Sequence, residues 1–308
     1  MRKIKSLLSG RDQKGLQIVY HIAMILLCVI FIAPLLLVVA VSVSSEESIV
    51  EIGYRFIVQE FDVGAYKYIL SSSEVLFRAY GVTFLFSILS MVLSVICMSL
   101  AAYPLSRDIT PGRRAVSFYF YFTMLFSGGL VPTYILITQY LHLDNTIWVY
   151  VIPGLISPWY VFMMRTSFQA IPKEIIESAY MDGASEFRIY SQFILPLSKP
   201  ILATVALFVF LNKWNDWYTC MLYIDKDELT SLQYLMQRII LDMQLLQESD
   251  YARSMGVAEI PGESIRMAMA VLVAGPALFV FPFFQKYFTK GMTVGSVKGL
   301  CKFVHNLI

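Results

Sequence analysis

The chain has 308 residues, of which 57% are hydrophobic and 15% are charged, and its mean hydropathy is +0.65. Soluble domains average about 45–50% apolar and about 25% charged residues, so this composition argues against a soluble enzyme. The formal net charge of +2 is too small an excess to neutralise a nucleic-acid backbone. A membrane protein that does not bind nucleic acid is therefore expected.

Six apolar runs are long enough to cross a bilayer as helices, since about 20 helical residues span its hydrocarbon core. The fifth run in chain order, at about 200–224, is interrupted by Lys213 and Asp216. The other five contain no Asp, Glu, Lys or Arg and cover 15–45, 79–106, 115–143, 145–164 and 267–285. The sequence thus predicts an all-α membrane protein with six transmembrane helices.

The positions of Lys and Arg predict the orientation, because cytoplasmic loops retain basic residues. With both termini cytoplasmic, 16 of the 24 basic residues fall in cytoplasmic segments. Apolar residues at helical spacing over 232–246 predict a short amphipathic helix on the outer side. The expected domains are a cytoplasmic N-terminal segment (1–17), a transmembrane domain (18–286) with outer loops 44–78 and 225–266 and a cytoplasmic loop 166–199, and a cytoplasmic C-terminal tail (287–308).

Motifs for catalysis and for metal binding are missing from the sequence. There is no HExxH, no GxSxG and no GxxxxGK[ST] phosphate-binding loop, so this chain is not expected to hydrolyse ATP itself. The three His residues lie far apart, and the four Cys residues form no CxxC pair. We expect no catalytic residue, no metal site and no cofactor bound by this chain.

The 166–199 loop carries the strongest local signal. Pro172 suits the first turn of a helix, Gly183 suits a turn, and Ser185 suits the N-cap of a second helix. One face of the first helix is apolar but too small to bury itself, so we expect it to fit a groove on another protein. This stripe comprises Ile175, Ile176, Ala179 and Tyr180.

A fixed spacing within this loop points to a known family. Glu177, Ser178 and Ala179 are followed by Asp182 and Gly183, and after nine more residues come Phe193, Ile194, Leu195 and Pro196. This pattern resembles the cytoplasmic coupling motif of inner-membrane permeases of binding-protein-dependent ABC importers, with Ser178 in place of an alanine and Phe193 in place of an isoleucine. The resemblance covers nearly the whole chain.

The similarity is greatest to the second permease of the maltose-type carbohydrate branch, in the subgroup associated with uptake of complex oligosaccharides. The stretches that carry this similarity are 124–134, 214–217 and 281–299. It implies the type I ABC importer permease fold and a location in the bacterial cytoplasmic membrane. The chain would form half of a carbohydrate pathway, coupled to a separate ATPase through the 172–196 segment.

The same resemblance implies the partners and the coupling residues. The partners are a second homologous permease, two ATPase subunits or domains that bind ATP and Mg, an extracytoplasmic solute-binding protein and membrane lipid. The residues implied in ATPase coupling are Glu177, Ala179, Asp182, Gly183, Leu195 and Pro196.

A sugar path needs hydrogen-bonding groups and flat apolar faces, which Trp214, Asn215, Asp216 and Trp217 supply near the outer end of the fifth span. An aromatic belt at the membrane interface is the alternative interpretation. Lys213 and Asp216 share a helix face, so they either pair with each other or mark an ion path. Two other functions stay open, an ion-coupled secondary transporter and a membrane scaffold that recruits a soluble partner.

Overall fold

The structure is a computed structural model that describes residues 10–71, 73–248 and 262–305. These residues are nearly all helical or in turns, as the composition predicts, and their extended pairing consists of a bridge between Ser44 and Phe61. The helices are α1 (Gly10–Ser42), α2 (Glu46–Ile52), α3 (Gly64–Ser71), α4 (Ser73–Ser106), α5 (Arg113–Leu125), α6 (Leu130–Ile135), α7 (Trp148–Val151), α8 (Pro158–Gln169), α9 (Lys173–Met181), α10 (Glu186–Ile189), α11 (Leu195–Leu197), α12 (Lys199–Trp214), α13 (Tyr218–Tyr223), α14 (Leu232–Glu248) and α15 (Gly262–His305). Helix α14 confirms the predicted amphipathic helix.

Three helices are long and apolar enough to cross a membrane, and they match the first, second and sixth predicted spans. They are Gln17–Ser42 within α1, the whole of α4, and Gly262–Val280 within α15. Two bent pairs meet the criterion when each is counted as one span: α5 with Leu130–Tyr140, bent by 113°, and Glu186–Leu197 with α12, bent by 79°. By length and composition alone, the described residues therefore give three to five of the six expected spans.

The fourth predicted span, 145–164, is interrupted in the structure. Helices α7 and α8 contain only 4 and 12 residues. Pro153 has no N–H to donate, and Pro158 occupies the first turn of α8 after an extended Ser157. The two prolines end one helix and start the next, so a long uncharged run does not become a single helix.

The chain divides into two compact units, residues Met1–Ser73 with Ile239–Leu272 and residues Glu74–Arg238 with Val273–Ile308. The second unit contains two apolar clusters. One surrounds the stacked rings of Phe86 and Tyr150, whose centroids are 4.2 Å apart. The other joins α4, α8, α9 and α12, and its buried members are Met98, Ala102, Leu105, Val161, Met164, Phe168, Ile176, Ala179, Ala184, Ile189, Ile194, Val205 and Val209.

In the first unit, Glu46 caps the start of α15. Its carboxylate accepts the backbone N–H groups of Gly262, Glu263 and Ser264 at 3.1, 3.0 and 2.9 Å, and the Ser264 hydroxyl at 2.7 Å. A negative charge at a helix N-terminus also interacts favourably with the helix dipole. Glu46 is held in place at the start of α2, where Ser45 Oγ accepts the N–H of Ser48 at 3.3 Å.

We predict that Glu46→Ala destabilises the protein by about 1–3 kcal/mol, because it removes a charged acceptor from three backbone N–H groups. Thermal unfolding in detergent is the measurement. Glu47→Ala is the matched control, since Glu47 is an exposed neighbour on the same helix. Equal melting temperatures for the two variants would contradict the capping role of Glu46.

Candidate functional site

The 166–199 loop folds as the sequence predicts, into two helical segments around a glycine turn. Helix α9 begins after Pro172 and is closed by Gly183, whose φ of +75° lies in the left-handed region. The Ala184 N–H donates to the carbonyl of Ala179 at 3.0 Å, which completes this helix end. Ser185 is the N-cap of α10, and its Oγ accepts the Arg188 N–H at 3.4 Å.

Two of the four residues in the apolar stripe of α9 face the chain's own core, which corrects the expectation that the whole stripe fits a partner's groove. Ile176 and Ala179 are only 5% and 3% exposed, and both pack in the cluster shared with α4, α8 and α12. Ala179 is therefore covered by the chain's own residues and is not available to a partner. Leu195 is half-buried, whereas Pro196 is exposed.

The opposite surface of the loop is open to solvent. Glu177, Asp182 and Gly183 are all exposed, as a docking role requires. Met181 and Phe187 flank the glycine turn with exposures of 89% and 72%, and the sequence reasoning missed both. The sequence could have indicated both residues, since each is large and apolar but lies outside the apolar stripe of α9. We call these five residues the outer face of the loop.

A set of polar contacts joins the loop to the C-terminal end of α4. The hydroxyls of Tyr103 and Tyr180 donate to the two carboxylate oxygens of Glu186. Arg107 Nη2 donates to Tyr180 Oη at 3.1 Å, and its guanidinium lies 5.6 Å from the centre of that ring. Partial burial and the hydrogen bond to Glu186 raise the pKa of Tyr180 above its usual range, so this hydroxyl keeps its proton and donates.

An ion-pair cluster joins the start of α9 to the turn that follows α4. Lys173 Nζ and Arg113 Nη1 lie 3.0 and 2.7 Å from the two carboxylate oxygens of Asp108. The hydrogen bonds to Lys173 and Arg113 lower the pKa of the exposed Asp108. A cavity of about 390 Å³ lies beside this cluster and is lined by residues of the α4 end, α8 and α9, including Arg107, Gln169, Lys173 and Glu177.

The second candidate region is a cleft where α12 ends. Its volume is about 460 Å³, and Asn215, Asp216, Trp217 and Tyr218 line it together with Leu211 and Asn212. Trp217 and Tyr218 are 40% and 44% exposed and meet edge to face, with centroids 5.8 Å apart. The Asn215 amide donates to Leu211 O at 2.8 Å and accepts from Gln233 Nε2 at 3.0 Å, so it has further hydrogen-bonding capacity.

The side chains of Trp214 and Asp216 are bonded within the chain and are not free in the open part of this cleft. Trp214 is 2% exposed, its Nε1 donates to Val273 O at 3.1 Å, and its ring stacks on Phe210. This burial corrects the assignment of Trp214 to a substrate path. Asp216 accepts the N–H and the hydroxyl of Thr219 at 3.0 and 2.8 Å, and so caps the start of α13.

Lys213 and Asp216 form the ion pair that their spacing predicts. Lys213 Nζ lies 3.5 Å from Asp216 Oδ2, and both side chains are 13% exposed. The ammonium group also lies close to Gly154, where an added Cβ would be 3.0 Å from Nζ. Within the described residues, no three His, Cys, Asp or Glu side chains are grouped so that they could hold a metal ion.

The chain matches known proteins over most of its length. The family model described as "Binding-protein-dependent transport system inner membrane component" matches residues 17–294. Protein LplC of Bacillus subtilis is 35% identical over 270 residues, which cover 88% of this chain and 90% of LplC. The polygalacturonan/rhamnogalacturonan transport system permease protein YtcP of the same organism is 33% identical, over 90% of this chain and 96% of YtcP.

A solved structure agrees with these matches. A chain of a bacterial ABC transporter involved in import of the acidic polysaccharide alginate superposes with a TM-score of 0.78 and 26% identity. The match covers 91% of this chain and 99% of that one. The family and this superposition confirm the predicted permease fold, the transport role and the location in the bacterial inner membrane. This chain belongs to the inner-membrane components of binding-protein-dependent transport systems.

Proposed function

We propose that the chain forms one half of the translocation pathway for an oligosaccharide and that the outer face of its 166–199 loop docks on a separate ATPase. The relatives transport polygalacturonan or rhamnogalacturonan, and alginate, according to their descriptions. The observation that carries the docking proposal is the outer face itself. Exposed Met181 and Phe187 flank a glycine turn in a loop whose other side is already buried.

The chemistry of the outer face suits a protein partner. Large apolar side chains supply most binding energy at interfaces when a partner covers them, and exposed carboxylates accept charge-assisted hydrogen bonds. Glu177 and Asp182 supply such carboxylates beside Met181. Gly183 has no side chain to hold the partner away, and its surroundings are open to 4 Å.

Docking on an ATPase also implies the other subunits of the transporter and the orientation of this chain in the membrane. A second permease completes the pathway, two ATPase subunits bind ATP and Mg, and an extracytoplasmic protein delivers the sugar. Both termini and the 166–199 loop lie on the cytoplasmic side, in agreement with the distribution of basic residues. Helix α1 offers an apolar surface for lipid or for the second permease, since none of its most apolar window is buried in the described structure.

We propose that Asn215, Trp217 and Tyr218 contact the sugar in the α12 cleft. Aromatic faces pack on the CH patches of a pyranose ring, and the amide bonds its hydroxyls. The exposure of both rings and the free capacity of the amide support this assignment. Asp216 shapes the cleft by fixing the start of α13.

Gly183→Asp is expected to abolish ATPase copurification while membrane insertion continues. A carboxylate buried at an interface without a partner costs about 2–5 kcal/mol, so binding falls at least about 30-fold. Gly112→Asp is the matched control, because Gly112 has the same positive φ, +72°, and equally open surroundings. Normal copurification of the Gly183 variant would refute docking at this turn.

Asn215→Ala and Trp217→Ala are each expected to lower sugar uptake about fivefold or more, because each removes roughly 1 kcal/mol of sugar contact. Uptake of labelled trigalacturonate and maltotriose into proteoliposomes, normalised to protein level, is the measurement. Trp159→Ala is the control, since Trp159 is an exposed tryptophan of α8 outside the cleft. Unchanged normalised uptake in the first two variants would favour an interfacial aromatic belt.

A further inference from the structure

The contacts between α4 and the 166–199 loop form a regular series. Ser99 and Tyr103 lie one turn apart near the C-terminal end of α4, which is its inner end in the proposed orientation, and Arg107 directly follows this helix. Each bonds a residue of the loop: Ser99 Oγ lies 2.7 Å from Tyr190 Oη, Tyr103 donates to Glu186, and Arg107 donates to Tyr180. The loop partners run in the reverse order, 190, 186 and 180. We call these six residues the polar ladder.

Glu186 is the central member of the ladder. One carboxylate oxygen accepts from α4 through Tyr103 and the other accepts from α9 through Tyr180. Glu186 also directly follows the N-cap Ser185, three residues after Gly183. It thus connects the outer face of the loop to a helix that is more than 80 residues away in sequence.

We propose that Glu186 is a positioning residue that makes α4 move together with the loop when the ATPase changes state. This inference rests on the proposed docking of the loop on an ATPase. The covalent chain connects the loop directly to α8 and α12, so it can transmit motion to these two helices but not directly to α4. The ladder and the apolar contacts of Met98, Ala102 and Leu105 add α4 to the moving body.

Helix α4 is long enough to carry a movement of the loop across the membrane. A helix of 34 residues is about 50 Å long, so it extends from the loop across the whole hydrocarbon core. Its distant half contains Phe86, which stacks on Tyr150 of α7. A displacement imposed at the inner end is therefore carried to the other half of the membrane, because α4 is one continuous helix. Helices α5 to α8, in contrast, are separated by breaks.

The experiment measures one distance in the complex purified with its ATPase. All four native Cys residues are replaced, and spin labels are attached at the exposed positions Phe77 on α4 and Gln192 on the loop. Pulsed electron paramagnetic resonance then gives the label separation without nucleotide and with Mg-ATP and vanadate. We expect the same separation in both states for the otherwise unchanged protein, because α4 and the loop move as one body.

Glu186→Gln replaces one acceptor oxygen with a donor, so it cannot accept from both tyrosines. We expect this variant to retain its ATPase but to show a nucleotide-dependent change of about 5 Å in the label separation, the scale of a one-turn slip. Tyr103→Phe removes one hydroxyl and should give the same change. Glu174→Gln is the matched control, an exposed glutamate of α9 outside the ladder, and should behave as the unchanged protein.

Several results would overturn the proposal. A separation that already changes in the unchanged protein means that α4 and the loop move independently. A separation that stays constant in Glu186→Gln and Tyr103→Phe means that the ladder is not needed. Loss of the ATPase from Glu186→Gln would assign that residue to docking. Failure of docking itself is seen separately, as absence of the ATPase from the unchanged preparation.

Discussion

Burial of one side of α9 in the apolar cluster that it shares with α4, α8 and α12 is the constraint on which the loop depends. Ile176 and Ala179 on α9 and Ala184 in the turn that follows it are all buried in this cluster. Because this side is buried, a partner meets only the residues that point the other way. The loop is thus a two-sided element, with one side fixed to its own helices and the other open around Gly183. A force on the open side is therefore transmitted to the helices that pack in the same cluster as α9.

A second constraint comes from the backbone groups that helix breaks expose. In hydrocarbon these groups need partners within the protein. At the break before α8 the Ser157 N–H reaches Met98 Sδ, and at the break before α13 Asp216 accepts the Thr219 N–H. Lys213 pairs with Asp216 and lies against Gly154. This arrangement favours a structural role for the Lys213–Asp216 pair over an ion path, because the carboxylate is already bonded within the chain.

The sequence predicted what depends on local patterns. Uncharged runs of sufficient length located the helices that became α1, α4 and the start of α15, and Gly183 with Ser185 located the turn and cap of the loop. Counting charges does not by itself locate the breaks, since it ignores the missing N–H of Pro153. The sequence also could not tell which side of α9 is buried. The apolar stripe indicates a contact, but only the position of α4 identifies the chain's own core as the partner.

Residues of one type can thus have opposite roles a few positions apart. Trp214 and Trp217 are both aromatic and three residues apart, yet the end of α12 lies between them. The helix directs Trp214 into a site where Val273 O accepts its N–H, while the turn leaves Trp217 exposed beside the cleft. Asn215 lies at the turn itself, and its side-chain amide keeps hydrogen-bonding capacity because the bonds to Leu211 O and from Gln233 Nε2 use two of the four that it can form. The break in α12 therefore creates the cleft, since a continuous helix would bury or separate these side chains.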